Sequence, residues 1–145
     1  MKKKLALELN AVDLLKYALF KGYALPADLA PINSTQERIL MTVKYSLNQS
    51  MVAIARAIGL EKGPFSKSVA TLEALQLLQR KRDSTDRRLI HLELTASGQL
   101  LTQQIEDHIE AHFASRIKQL TAEELQAFYA ALSTLEHTAK ILIAQ

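Results

Sequence analysis

The chain has 145 residues, 48% of them hydrophobic and 23% charged, with a formal net charge of +3 and no cysteine. That length suits one domain with a real core, and the missing cysteine excludes disulfides, thiolate metal sites and thiol redox chemistry. No apolar run approaches the roughly 18 residues a membrane helix needs. The basic start Met1-Lys2-Lys3-Lys4-Leu5 is followed too soon by Glu8, Asn10 and Asp13 to act as a signal segment, so the expected location is cytoplasmic.

Four Gly and three Pro are few, which favours helix. Leu5, Leu9, Val12, Leu15 and Leu19 fall at helical spacing and predict a first helix over 5–21. Gly22 to Asn33, with Pro26 and Pro31, reads as a connector. Ser34-Thr35-Gln36-Glu37 has the form of a capping box, Ser34 accepting the third amide and Glu37 reaching back. The helix it opens is expected to run to about Ser46, with Ile39, Leu40 and Val43 facing inward. Ser50 is expected to cap a short helix, Met51 to Ile58, packed through Val52, Ile54, Ala55 and Ile58. Gly59 suits the C-terminal turn of that helix. Pro64 fits the first turn of the next, where its missing amide costs little. This helix is expected to reach about Leu78, buried through Phe65, Val69, Leu72 and Leu75.

Arg80-Lys81-Arg82-Asp83-Ser84-Thr85-Asp86-Arg87-Arg88 follows. Its five basic and two acidic side chains hold the whole net charge of +3, leaving 13 of each sign elsewhere. Leu89 to Thr95 then alternates as a strand, with Ile90, Leu92 and Leu94 on one face. His91 points the other way, partly exposed and within reach of a phosphate. Two readings of the charge run stand. One is a solvated loop with balanced ion pairs. The other is an arginine-rich turn, projected from a strand pair, that grips phosphate and reaches into a groove. The preceding order of helix, helix, turn, helix favours the second. Residues 34–98 carry ten basic and six acidic side chains, and residues 99–145 carry three and six, so the basic charge sits in one module.

Thr95 is expected to cap a helix with Leu101, Ile105, Ile109, Phe113 and Ile117 on its apolar stripe. Thr121-Ala122-Glu123-Glu124 is a second capping box. Leu125, Phe128, Leu132, Leu135, Ala139 and Leu142 then form a heptad-like seam. Packing within the chain explains such a seam. An interface between subunits, shared with the first helix, explains it equally.

Ile54 to Leu60, Phe65-Ser66-Lys67-Ser68-Val69, Leu72-Glu73, Asp83 to Arg88 and Leu94-Thr95-Ala96-Ser97-Gly98 together resemble the MarR family of winged helix-turn-helix transcriptional regulators. The most specific part is Asp-x-x-Asp-Arg-Arg followed by Leu-Thr-x-x-Gly, and the resemblance spans roughly residues 34 to 140. It implies a mainly α fold with a small β-hairpin wing. The winged helix-turn-helix module is flanked by N- and C-terminal dimerisation helices. As domains it implies one MarR-like unit over 1–145, with the DNA-binding module at 34–98 and a helical dimerisation region at 1–33 and 99–145. It implies a homodimeric repressor on a palindromic operator of double-stranded DNA, released by a small aromatic effector. Residues Lys62 to Thr71 resemble the recognition helix, with Lys62, Pro64, Ser66 and Lys67 toward bases or phosphates. Ser50 resembles the supporting cap at a phosphate. Arg87 or Arg88 resembles the arginine that enters the minor groove, with Arg80 and Arg82 bracing the wing or touching phosphate. Asp83 and Asp86 brace the wing by pairing with arginines. Two residues depart from the pattern: Pro64 stands where a hydroxyl residue is common, and Gln76 where many members have Gly.

Other features compete for attention. His108 and His112 lie four apart on a helix, a spacing able to share one metal, with Glu106, Asp107 and Glu110 nearby. Some members of the resembled family sense zinc with histidines in this helix, so a metal-dependent regulator is an alternative, against histidines that merely pack or lie at the surface. Tyr17, Phe20, Tyr23, Phe113, Phe128 and Tyr129 read as core, or as the lining of an effector pocket. No nucleophile elbow, phosphate loop or acid–base pair is present, so neither enzymatic activity nor a cofactor is expected. A winged module that binds a protein in place of DNA is the remaining alternative.

Overall fold

The structure, a computed structural model, describes residues 4–47 and 49–145; Met1, Lys2, Lys3 and Asn48, and with them most of the basic start, lie outside the described residues. In chain order the elements are α1 (Leu5–Glu8), α2 (Asn10–Phe20), α3 (Ser34–Tyr45), α4 (Met51–Ile58), α5 (Lys62–Ala74), β1 (Leu78–Arg82), β2 (Ile90–Leu94), α6 (Ala96–Ile117) and α7 (Ala122–Ile143). This is the mainly α winged helix-turn-helix arrangement. No helix among the described residues is long and apolar enough to cross a membrane.

The chain divides into two compact units. The first is Ala24–Ile109. Its core joins Ile39, Leu40 and Val43 of α3, Ile54 and Ile58 of α4, and Phe65, Val69 and Leu72 of α5. Leu77, Leu78 and Leu92 of the hairpin and Leu101 and Ile105 of α6 complete it. The helical periodicity of the sequence places the members on α3, α4, α5 and α6 correctly, and strand alternation places Leu92, whereas Leu77 and Leu78 join the core from outside α5. Burying such side chains contributes roughly 1.5–3 kcal/mol each before conformational entropy is counted. α3 packs against α4, α5 and β2. Lys44 at the end of α3 reaches Glu106 of α6 at 3.0 Å. The hydrogen bond from Tyr45, and then Lys44, holds the Glu106 carboxyl below its usual range.

The second unit comprises residues 4–23 with Glu110–Gln145. No residue of α1, α2 or α7 is buried. The Phe20 ring meets Tyr23 edge-on at 5.8 Å and Phe113 at 4.9 Å. Arg116 Nε donates to the Ala18 carbonyl at 3.0 Å, and His112 Nε2 lies 2.9 Å from the Lys21 carbonyl. Thr121 caps α7, accepting from the Glu124 amide while Glu124 accepts from the Thr121 amide, as the capping box predicts. The seam of α7 is half-buried at Leu125 and Phe128 and uncovered from Leu132 onward, with Leu135 50% exposed and Leu142 68%.

Several expectations need correcting. The first helix is interrupted at Leu9, where the Val12 amide bonds back only three residues. The capping box of α3 sits one residue earlier: Asn33 accepts from the Gln36 amide at 2.8 Å and Gln36 accepts from the Asn33 amide at 2.9 Å. Asn33 is extended there, so its short amide side chain reaches the third amide without strain. Val52 is 61% exposed, on the side of α4 away from Ile54 and Ile58. α5 ends at Ala74, short of Leu78, because Gln76 turns into the left-handed region at φ 60°. Leu75 is consequently 36% exposed. Tyr17 and Tyr129, expected in the core, are 70% and 54% exposed.

The chain after Gln76 is clasped at one place. Thr95 Oγ1 donates to the Gln76 carbonyl at 2.6 Å and accepts from the Gly98 amide at 3.0 Å, and the Thr95 amide donates to the Leu77 carbonyl at 3.1 Å. A Cβ on Gly98 would run into the Leu77 carbonyl oxygen. Hence the Leu-Thr-x-x-Gly spacing: threonine caps α6, and glycine lets its first turn lie on the backbone leading into β1.

Candidate nucleic-acid interface

Three elements of the Ala24–Ile109 unit build one polar face. α4 begins at Ser50, whose Oγ accepts from the Ala53 amide at 3.2 Å. Its start is tied to the hairpin, because Ser50 bridges His91 and the Leu92 amide donates to the Gln49 carbonyl at 2.9 Å. Gly59 ends α4 at φ 79°, as expected, and Arg38 Nη2 donates to the Ile58 carbonyl at 3.2 Å. α5 opens after Glu61, which makes no side-chain cap. Phe65 buries inward, so Lys62, Pro64 and Lys67 are exposed and Ser66 is partly so. Pro64 lies in the first turn of α5, as predicted.

β1 and β2 pair antiparallel, with Leu78 opposite Leu94, Arg80 opposite Leu92 and Arg82 opposite Ile90. The charge cluster is therefore not one turn. Arg80, Lys81 and Arg82 lie on β1, and only the residues from Asp83 onward form the tip. Arg80 Nε is 2.7 Å from Glu73 Oε1 of α5, and Lys81 Nζ is 3.6 Å from Glu93 Oε1. Arg82 Nη1 donates to the Arg87 carbonyl at 2.6 Å. These contacts replace the expected bracing of Arg80 and Arg82 by Asp83 and Asp86.

Asp83 organises the tip by a different route. Its Oδ2 accepts from the Asp86 amide at 2.7 Å, the Thr85 hydroxyl at 2.7 Å and the Thr85 amide at 3.0 Å. Its Oδ1 is 2.9 Å from His91 Nε2. The Asp86 amide above all, then the Thr85 hydroxyl and amide, hold the Asp83 carboxyl far below its usual range. Asp83 is therefore an Asx-turn acceptor paired with a histidine, not with an arginine. Asp86 does meet an arginine: its Oδ1 accepts from the Arg88 amide at 3.0 Å and from Arg88 Nε at 3.2 Å. Arg88 is otherwise in solvent, its side chain 91% exposed. Among the described residues the Arg87 guanidinium has no partner.

A recess of about 530 Å³ opens on this face. Ser50, Lys62, Ser66, Arg80 and Arg88 set its polar rim, and Val52, Phe65, Leu89 and Ile90 contribute apolar wall. It brings together five of the residues singled out from the sequence: Ser50, Lys62, Ser66, Arg80 and Arg88. Pro64, Lys67, Arg82 and Arg87 lie outside it. Sequence reasoning missed Val52, taken for core, the Glu73–Arg80 pair and the His91–Asp83 pair. The last two join separate elements and leave no local spacing to detect.

The histidine alternative finds little support here. His108 is exposed, and His112 Nε2 is engaged with a backbone carbonyl. Among the described residues no three His, Cys, Asp or Glu side chains come together as a metal site.

The profile of the MarR family matches residues 32–90, from the connector before α3 to the first residue of β2. Solved structures share the fold over nearly the whole chain. Apo MarR from E. coli is 18% identical, covering 93% of this chain and 98% of its own, with a TM-score of 0.67. The regulator Tm0710 from Thermotoga maritima is 20% identical, covering 98% and 99%, at 0.64. BpsR from Bordetella bronchiseptica, whose DNA binding is regulated by 6-hydroxynicotinic acid, is 19% identical, covering 92% and 99%, at 0.59. The MarR-family profile thus lies on the winged module, and the solved structures show that the chain around it shares their fold.

Proposed function

We propose that the protein is a homodimeric repressor that covers a palindromic operator, each winged module taking one half-site about one helical turn from the other. The observation that carries this is the single face joining the Ser50 cap, the exposed first turn of α5 and the wing around one recess. In this reading Lys62 to Thr71 lies in the major groove, with Lys62, Pro64, Ser66 and Lys67 toward bases or phosphates. The amides that Ser50 opens meet a phosphate. Arg87 or Arg88 enters the minor groove, Arg82 supports it, and Asp83 and Asp86 hold the tip. The whole chain, 1–145, acts as one protomer, with 34–98 as the DNA-binding module and 1–33 and 99–145 as the dimerisation region.

The exposed apolar seams of α2 and α7 support the dimer. The BpsR precedent supports a small aromatic effector, which would act by changing the separation of the two recognition helices.

An electrophoretic mobility shift on the DNA upstream of the protein's own gene tests the reading. The expected result is a discrete complex, outcompeted by specific but not by random duplex, with affinity falling steeply as salt rises. Equal competition by random duplex would overturn it.

A further inference from the structure

We infer that His91 is a positioning residue for the wing, setting where Arg88 stands through the two aspartates between them. The inference rests on the reading of the wing as a DNA-contacting element. His91 sits in the middle of β2, its backbone held between Lys81 of β1 and Ser50 at the start of α4. From that fixed root its Nε2 reaches Asp83 Oδ1 at 2.9 Å. The other oxygen of Asp83 holds the amides of Thr85 and Asp86. Asp86 in turn holds the Arg88 amide and guanidinium. Each link from the strand to the exposed arginine is thus a hydrogen bond, and His91 is where this series of side chains is anchored in the sheet.

The charged groups facing His91 are Asp83 in the tip, Lys81 directly opposite on β1, and Glu93 two residues along β2, already engaged by Lys81 at 3.6 Å. The Gln49–Ser50 segment on the other side adds no charge. A proton on His91 converts its hydrogen bond with the Asp83 carboxylate into an ion pair and stiffens the tip. Histidine is the side chain that ordinarily changes charge between about pH 5 and 8.

The test uses the full chain, His91→Leu and His91→Gln, and a DNA duplex selected by the wild-type protein from a random library. Glutamine can place an amide nitrogen near the position of the imidazole Nε2, whereas leucine donates nothing. In free wild-type protein the Thr85 and Asp86 amide resonances should move over about pH 5 to 8, and in both variants they should be flat. At about pH 6, His91→Leu should bind the duplex on the order of tenfold more weakly, and His91→Gln should restore most of the loss. Wild-type affinity should fall as pH rises, with no such slope in either variant. Resonances unmoved by His91→Leu, or an identical pH slope in that variant, would overturn the inference. A merely structural histidine would lower the melting temperature without a pH slope in binding. If the wild-type protein selects no duplex, the repressor reading is what fails, and the tip resonances alone decide the role of His91.

Discussion

The two units of this chain treat their apolar residues in opposite ways. Every fully buried hydrophobic side chain among the described residues lies between Ile39 and Ile105, inside Ala24–Ile109. In the other unit α1, α2 and α7 bury nothing, and Leu14 and Tyr17 stand 68% and 70% exposed. The winged module is thus supplied with its own core. The helical unit leaves large apolar side chains in solvent, which the proposed dimer would cover. If the proposed dimer forms, where a residue falls decides whether its loss is felt as unfolding or as failed assembly.

Substitutions break or sharpen that contrast. Leu72→Ala, at 0% exposure in the core, should lower stability by about 2–5 kcal/mol in urea denaturation and unfold the module without first touching assembly. Arg88→Ala should leave the melting temperature unchanged and weaken binding to specific DNA by about 1–3 kcal/mol, measured by fluorescence anisotropy. Arg87→Ala is the sharper partner experiment, because its guanidinium has no hydrogen-bond or ion-pair partner among the described residues; affinity equal to wild type in both variants would remove the wing from the interface. Leu132→Asp should weaken self-association on the order of tenfold or more in sedimentation equilibrium, with the melting of the winged module preserved. Ser50→Ala removes one cap and should cost about 1 kcal/mol, localised by hydrogen exchange to the first turn of α4.

The smallest effect is expected at Asp83. Its native carboxyl titrates below the ordinary value of 3.8, so its support is fully present above 3.8 and is lost only as pH falls through the lower native value. The amides of Thr85 and Asp86 should therefore stay on Asp83 through pH 3.8 and let go only below it, as read from their exchange rates.

Much of the fold was legible because its signals are local. Ser50, Gly59, Thr95 and the Thr121–Glu124 box each act within four residues, and the core stripes repeat at the helical period. The failures have equally physical origins. Leu77 and Leu78 prolong the apolar spacing of Leu72 and Leu75, so the end of α5 is disguised. Only the backbone reversal at Gln76, in a place that suits glycine, reveals it. β1 carries a single apolar residue facing the core, since a two-stranded hairpin has little to bury, so its alternation is invisible. Asn33 and Ser34 are both good caps, and spacing alone does not choose between them. At the wing, charge picked out the segment that forms the hairpin tip and paired Asp86 with an arginine, but it gave Arg80, Arg82 and Asp83 the wrong partners. Arginine–aspartate pairing is the obvious guess for such a run, yet a backbone turn, a glutamate from α5 and a histidine from β2 are better placed.

The clasp of Thr95 and Gly98 on the Gln76–Leu77 backbone has a consequence for how such proteins diversify. It fixes the base of the hairpin at Leu78 and Leu94 and the end of α5 together, while the seven residues from Asp83 to Leu89 are tied back to the strands by the Arg82–Arg87 and Asp83–His91 bonds. A tip held in this way is interchangeable. Loops of other lengths and charges can be grafted between Arg82 and Ile90 with little burden on the recognition helix, because lengthening an exposed loop adds only about 0.6 kcal/mol per doubling. The grip on a target can be re-engineered there while the reading head keeps its aim.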